Sequence, residues 1–312
     1  LTATTPTSLP QTALPLPSGE AAEPLPDILP PVKVRRGVSG FVYRHPTMAV
    51  GGFILLLLVI MAVFAPFLGT GDPNALNPAR RNREPSPANW FGTDAFGKDI
   101  YSRCIYGARV SLIVGFSVAI LASLIGLVIG LASGFLRWAD GVIMRVMDGL
   151  MSIPSILLAI ALMALTRASI ENVVMAITVA EIPRVARLVR GVVLTLREQP
   201  YVDAAIAAGT STPRIILRHI LPNTVAPLTV QATYICASAM ITEAILSFIG
   251  AGVPPTIAPS WGNIMADGRT LWQVKPYIIF FPAVFLSLTV LAVNLLGDGL
   301  RDAVDPRMAK RL

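Results

Sequence analysis

The residues whose types and spacing could do chemistry are few. Gly92, Gly97 and Lys98 fall at the spacing of a phosphate loop, in which backbone N–H groups cradle phosphate and a following Ser or Thr binds magnesium. Asp99 stands at that last position, where a carboxylate repels phosphate, and no strand precedes the turn. A nucleotide site is therefore rejected. His45 and His219 are the only histidines, without an HExxH pair for zinc, and no GxSxG turn presents a nucleophilic serine. Cys104 and Cys236 are too few for a metal cage, and no structural disulfide is expected between them. The chain is thus expected to have no catalytic residues, no metal and no means of hydrolysing ATP.

What remains is a set of charges that have to be positioned by apolar elements. The 312 residues are 54% hydrophobic and 14% charged, with a mean hydropathy of +0.67. No ordinary soluble domain has that composition. The net charge of +7 raises the question of nucleic acid, but the basic residues cluster at the ends of apolar segments, which is a pattern of membrane orientation. Nucleic acid is excluded as a partner, and membrane lipid takes its place. Leu1 to Pro31, rich in Pro, Thr, Ser and Ala, reads as a disordered part of an N-terminal tail over 1–46. The basic residues Lys33, Arg35, Arg36 and Arg44 precede an apolar run from Thr47 to Leu68. That run exceeds a signal-peptide core and reads as the first transmembrane helix.

Further spans of a length suited to a hydrocarbon core of about 30 Å run from Ala108 to Gly134, Val142 to Leu165, Ile170 to Val189, Val225 to Ile249 and Tyr277 to Leu296. The expected fold is an all-α polytopic membrane protein with six transmembrane helices over 47–312. An even count puts both ends on one side, and the excess of Lys and Arg on that side makes it the cytoplasm. Gly126, Gly130 and Gly134 recur at four-residue spacing in the second span and predict close helix packing. Pro154 and Pro282 predict kinks in the third and sixth. Glu243, near the middle of the fifth span, must face the bundle interior, a water-filled cavity or a cation. A polar contact between helices and a place in a translocation path are both open to it. Asp148 can pair with Arg145, and Arg184, Arg187 and Arg190 suit headgroup anchoring.

One polar interruption, Glu198 to Asn223, is too charged to cross a bilayer and still helical in pattern. Val202, Ala205 and Ile206 share one face of a first short helix, and Gly209 permits a bend. Ser211 and Thr212 can cap a second helix that has Pro213 in its first turn, an apolar stripe of Ile216, Leu217 and Ile220, and its end at Pro222. On periodicity alone this is either an ordinary loop or a docking element.

The residues of this loop resemble the EAA loop of the membrane subunits of ABC importers, a coupling helix that docks in a groove of an ATPase subunit. The likeness rests on Asp203, Ala204, Ala205, Gly209, Leu221 and Pro222. Asp203 replaces the usual Glu, and the ending RHILPN, with His219 and Asn223, is similar to that of dipeptide and oligopeptide permeases. Phe91 to Leu112 also resembles the FGTDxxGxDxxSRxxxGxRxSL signature of the C-type peptide permeases. EAILSFIGAGVPP from Glu243, SWGNIMADGR from Ser260 and GDGLRDAVDPR from Gly297 extend the likeness over nearly everything after Val38.

The resemblance implies the type I ABC importer permease fold in a bacterial or archaeal cytoplasmic membrane. It implies ATPase coupling through Asp203, Ala204, Ala205, Gly209, Thr212, Pro213, His219, Leu221, Pro222 and Asn223. It further implies a second homologous permease subunit, two ATPase subunits or domains that bind the ATP and Mg, and an extracytoplasmic substrate-binding protein. Peptides are the implied cargo, with nickel chelates, opines or other small solutes as alternatives in the same architecture. An ion-gradient-driven secondary transporter using Glu243 is the rival of another class, although the inverted repeats common in such carriers are not seen.

Overall fold

The computed structural model describes Val42 and residues 45–304. The N-terminal tail from Leu1, the basic residues Lys33, Arg35, Arg36 and Arg44, and Arg307, Lys310 and Arg311 lie outside the described residues. Helices are α1 (Pro46–Val63), α2 (Ile100–Phe135), α3 (Arg137–Met151), α4 (Ser155–Ala164), α5 (Ile170–Arg197), α6 (Pro200–Ala207), α7 (Thr212–Ile215), α8 (Leu221–Phe248), α9 (Trp261–Gly268) and α10 (Tyr277–Val304). Among the described residues there is no β-sheet, only two isolated bridges within 86–99.

Side-chain caps set several of the helix starts. Asp99 accepts from the N–H of Ser102 (2.8 Å) and its hydroxyl (2.6 Å) to begin α2. Ser169 caps α5, and Ser260 with Asn263 forms a capping box on α9. By length and composition α1, α2, the continuous unit Thr212–Phe248 and α10 can each cross a membrane, and α3 with α4 makes a fifth if the bent pair is one span. The remaining expected span is α5, which has 28 residues but carries Glu181, Arg184, Arg187 and Arg190.

The glycine ladder joins α2 to α5. A Cβ built on Gly126, Gly130 or Gly134 would stand 2.5, 2.6 or 2.5 Å from side-chain atoms of Val185, Val189 and Val193 respectively. Each valine sits where a glycine lacks a side chain, so the two helices run parallel at close range. The predicted packing role is the observed one. Nearer the start of α2, α8 runs antiparallel to it with Met240 against Gly115, and Trp261 Nε1 of α9 donates to Cys104 O (3.0 Å). α1 and α10 pair through Gly51, which faces Ala292 and Leu296, and Gly299, which faces Met48.

Two expectations are corrected here. The span expected over Val142–Leu165 breaks at 152–154, and α3 meets α4 at 86°. Pro154 has no N–H to continue the ladder and takes an extended ψ of 131°. The ten residues of α4 cover only about 15 Å, half the apolar thickness. Second, Pro222 does not end a helix, because the chain is helical from Thr212 to Phe248. A π-helical turn, Ile216–Ile220, precedes α8. Its wider ladder accommodates the missing Pro222 donor and the ring that would crowd the preceding carbonyls.

Candidate functional site

The interruption between α5 and α8 folds as the helix, bend and helix that its pattern predicts. After α6, Thr210 N–H bonds to Ala205 O (3.0 Å) and Gly209 N–H to Ile206 O (2.9 Å). This is the Schellman arrangement, with Gly209 at φ +76° as its left-handed residue. No heavy atom lies within 4 Å of a Cβ built on Gly209, so the glycine serves the bend's conformation and leaves open space beside it. Asp203, Ala204, Ala207, Ala208, Thr212 and Pro213 are exposed, and Ala205 is half-buried.

Val202 roots α6 at 1% exposure and Ala205 packs half-buried against the core, while Ile206 is 57% exposed. The apolar face predicted from Val202, Ala205 and Ile206 is thus split, with Val202 and Ala205 turned to the core and Ile206 left outside it. Ser211 occupies the N-cap position of α7 without a side-chain cap bond, so the expected capping by Ser211 and Thr212 is not made. Instead, the two halves meet where the rings of Tyr201 and His219 approach to 6.1 Å. Asn223 Nδ2 donates to His219 O (2.6 Å) across the π turn. Leu221 is half-buried and Pro222 is exposed.

Beside this element, cations of α5 tie the ends of the long helices to one another. Arg197 Nη1 donates to Gly134 O (2.6 Å), in the last turn of α2, and its guanidinium lies 5.4 Å from the Phe135 ring. A cation there satisfies a terminal carbonyl and meets the negative end of the helix dipole. Arg190 makes two 2.6 Å bonds to the Asp140 carboxylate of α3, which Ser133 also contacts. Between these groups and α6 lies a cavity of about 730 Å³, whose lining includes Asp140, Arg197, Val202, Asp203, Ile206 and Ile215.

The arginines expected to anchor headgroups are paired with protein carboxylates. Arg187 binds Asp148 (2.6 Å) and Arg184 binds Glu181 (2.7 Å). Asp148 was expected to pair with Arg145; it reaches α5 instead because the ion pair closes the α3–α5 contact. Glu243 is fully buried and accepts from Ser247 Oγ (2.7 Å) and, at 3.4 Å, from Ser111 Oγ of α2. It therefore makes a polar contact between helices and presents no surface to a path in this conformation.

At the opposite end of α2, the stretch first tested as a phosphate loop is a polar knot. Asp94 accepts from the N–H groups of Phe96 (2.8 Å) and Lys98 (2.9 Å) and from Arg103 Nη1 (2.6 Å), which also reaches Asp267 in the last turn of α9 (2.7 Å). Asp94 and Arg103 are fully buried. A Cβ on Gly97 would overlap Asn77 O, so the chain closes where phosphate would have to enter. Nearby, the bond from Lys275 (2.7 Å) and its charge hold the exposed Glu84 carboxyl below the usual carboxylate range. The motif names Asp94 and Arg103 but not their pairing, and neither Glu181 nor Asp140 is singled out by the sequence. Glu181 carried a signal: an acid three residues before Arg184 inside an expected span.

A helical bundle with spanning apolar segments, buried charge pairs and an exposed bent element at one end defines a polytopic membrane subunit. Within that class the chain belongs to the binding-protein-dependent transport system inner membrane components, whose family model matches residues 122–310. Residues 42–85 match the N-terminal TM domain of oligopeptide transport permease C.

Among its relatives is a probable peptide ABC transporter permease protein of Sinorhizobium fredii, 54% identical over 86% of this chain and 91% of that protein. A dipeptide transport system permease of Alkalihalophilus pseudofirmus is 42% identical over 85% and 87%, and an oligopeptide transport system permease of Bacillus subtilis 40% over 86% and 88%. Inward-facing structures of the MetNI methionine ABC transporter share the fold, at 20% identity and a TM-score of 0.55 over 65% of this chain and 96% of that one. The chain is a permease subunit of an ABC importer and a multi-pass inner membrane protein, and as such works with ATPase and binding-protein partners.

Proposed function

We propose that this subunit forms half of a translocation path for peptides, beside a second, related permease, and that 198–223 is its ATPase-docking element. The peptide assignment draws support from the named transport systems of its relatives and from the match to the oligopeptide permease model. On this reading the Gly134 end of α2 is cytoplasmic, as are both termini. Two ATPase subunits bind ATP and Mg there, while a substrate-binding protein delivers cargo to the loop between α1 and α2. Asp203, Ala204, Ala205, Gly209, Thr212, Pro213, His219, Leu221, Pro222 and Asn223 belong to the docking element. Glu243 holds α8 to α2 behind the path.

The observation that carries this reading is the bend at Gly209. Its left-handed conformation turns a helix of small exposed residues outward, which lets a foreign surface approach closely. ATP closure of the partner can bias the subunit between inward- and outward-facing states only if the docking differs between them. Movement at α6 is passed on through Arg197 and the Asp140–Arg190 pair.

Replacing Gly209 with Val tests this. The left-handed conformation costs a β-branched residue at least about 1–2 kcal/mol, while nothing nearby is struck. The expected result is a subunit inserted and assembled at normal levels whose ATPase no longer responds to binding protein and cargo. Unchanged uptake and stimulation would refute the docking role.

A further inference from the structure

The mid-height of the bundle carries an arginine that neither the docking element nor the glycine ladder uses. Arg184 lies close to the midpoint of the 28-residue α5, about 20 Å from either end at roughly 1.5 Å per residue. Its neighbour Val185 meets Gly126, well inside α2. Tyr234, close to the midpoint of the 28-residue α8, places its ring 5.7 Å from the Arg184 guanidinium. Arg184 binds Glu181 at 2.7 Å, yet its side chain is 39% exposed while that of Glu181 is 3% exposed. Tyr234 is 54% exposed.

An arginine half open at this depth cannot face lipid without a cost of several kcal/mol or a defect in the bilayer. The face must therefore meet water or another protein surface. Its composition favours water. Gln231, Tyr234 and Ser238 recur on α8 at spacings of three and four residues, each at least partly exposed. Helix pairs in membranes close through small residues in tight contact, which a protruding tyrosine prevents.

We propose that Arg184, steadied by Glu181 and Tyr234, is a mid-membrane subsite that receives the carboxylate of the cargo in a water-filled path. The carboxylate assignment rests on the peptide reading above. A guanidinium has five N–H donors, so one bond to Glu181 leaves capacity for a bidentate grip on a second carboxylate. Glu181 neutralises the arginine beforehand. The hold on a passing anion is thereby weak, and a transport site has to release what it binds.

The test uses the assembled importer in proteoliposomes. With Cys104 and Cys236 replaced by Ser, Tyr234→Cys is treated with an anionic, membrane-impermeant methanethiosulfonate. Reaction that saturating peptide slows supports the subsite. A thiol that stays unreactive in nucleotide-free and ATP-bound states overturns it and assigns this face to lipid or the partner permease; this arm needs no knowledge of the cargo. Uptake is then compared for one peptide as free acid and as C-terminal amide. Arg184→Gln is expected to lower free-acid uptake about tenfold relative to the amide, and Arg184→Lys to retain part of the preference. Equal loss of both overturns the subsite and leaves the peptide reading standing. A wild-type importer that moves neither peptide overturns the peptide reading and, with it, the carboxylate assignment.

Discussion

Adding one methyl group to Gly134 should separate α2 from α5 where both meet the docking element. The new Cβ would lie 2.5 Å from Val193 Cγ1 and 2.7 Å from Val193 Cβ, with no other heavy atom closer than 3.5 Å. Ordinary contact begins at about 3.4 Å, so the helices must part by roughly 0.9 Å or Val193 must leave its place. Overpacking of this kind typically costs about 1–3 kcal/mol. Because Val193 is the sole obstacle, Val193→Gly in the same chain removes it, at about 1 kcal/mol for glycine in a helix interior and about 1.5–3 kcal/mol for the lost burial of a fully buried valine. A double-mutant cycle on the purified importer, read by reversible unfolding in mixed detergent, should find the double variant more stable than the two single losses sum to. A Gly134→Ala variant as stable as wild type, or no coupling with Val193→Gly, would refute the account of the glycine ladder.

Other perturbations follow from the charge pairs. Asp94→Asn keeps an acceptor for the Phe96 and Lys98 N–H groups but leaves the buried Arg103 with Asp267 alone; a loss of about 3–5 kcal/mol is expected, visible as poor accumulation and a lowered midpoint of unfolding. Asp140 and Arg190 are 24% and 31% exposed, so breaking their pair should change stability by no more than about 1 kcal/mol. Asp140→Arg or Arg190→Asp alone should instead uncouple ATPase activity from uptake, and the exchanged pair should restore part of the coupling. Restoration that fails while stability stays normal would remove this pair from the transmission route.

What was legible in the sequence was local. The four-residue recurrence of Gly126, Gly130 and Gly134 announces close packing because it repeats within one helix, and Gly209 announces a bend because few other residues tolerate its φ. Pro154 signals a break, but the 86° turn depends on what α4 packs against, which no local pattern encodes. The partners of Arg187 and Arg190 lie 39 and 50 residues away in sequence, beyond the reach of helical spacing. For that reason Arg187 and Arg190 read as headgroup anchors and prove to be ties between helices. Pro222 misleads for a related reason: a proline stops an α-helix, but the π turn before it lets the chain run on. The open mid-height position of Arg184 needed the full register of α5 along α2, since the apolar run taken alone ends too early and puts that arginine near a membrane surface.

The most direct test of the central claim is a cross-link from α6. Ala204→Cys, exposed on the docking helix, is placed in the otherwise cysteine-free subunit of the assembled importer and joined to its neighbours by a short thiol-reactive reagent. An adduct with the ATPase is expected, dependent on complex assembly and altered in yield by ATP. An adduct formed only with the substrate-binding protein, or none with the ATPase in an importer that still transports, would contradict it.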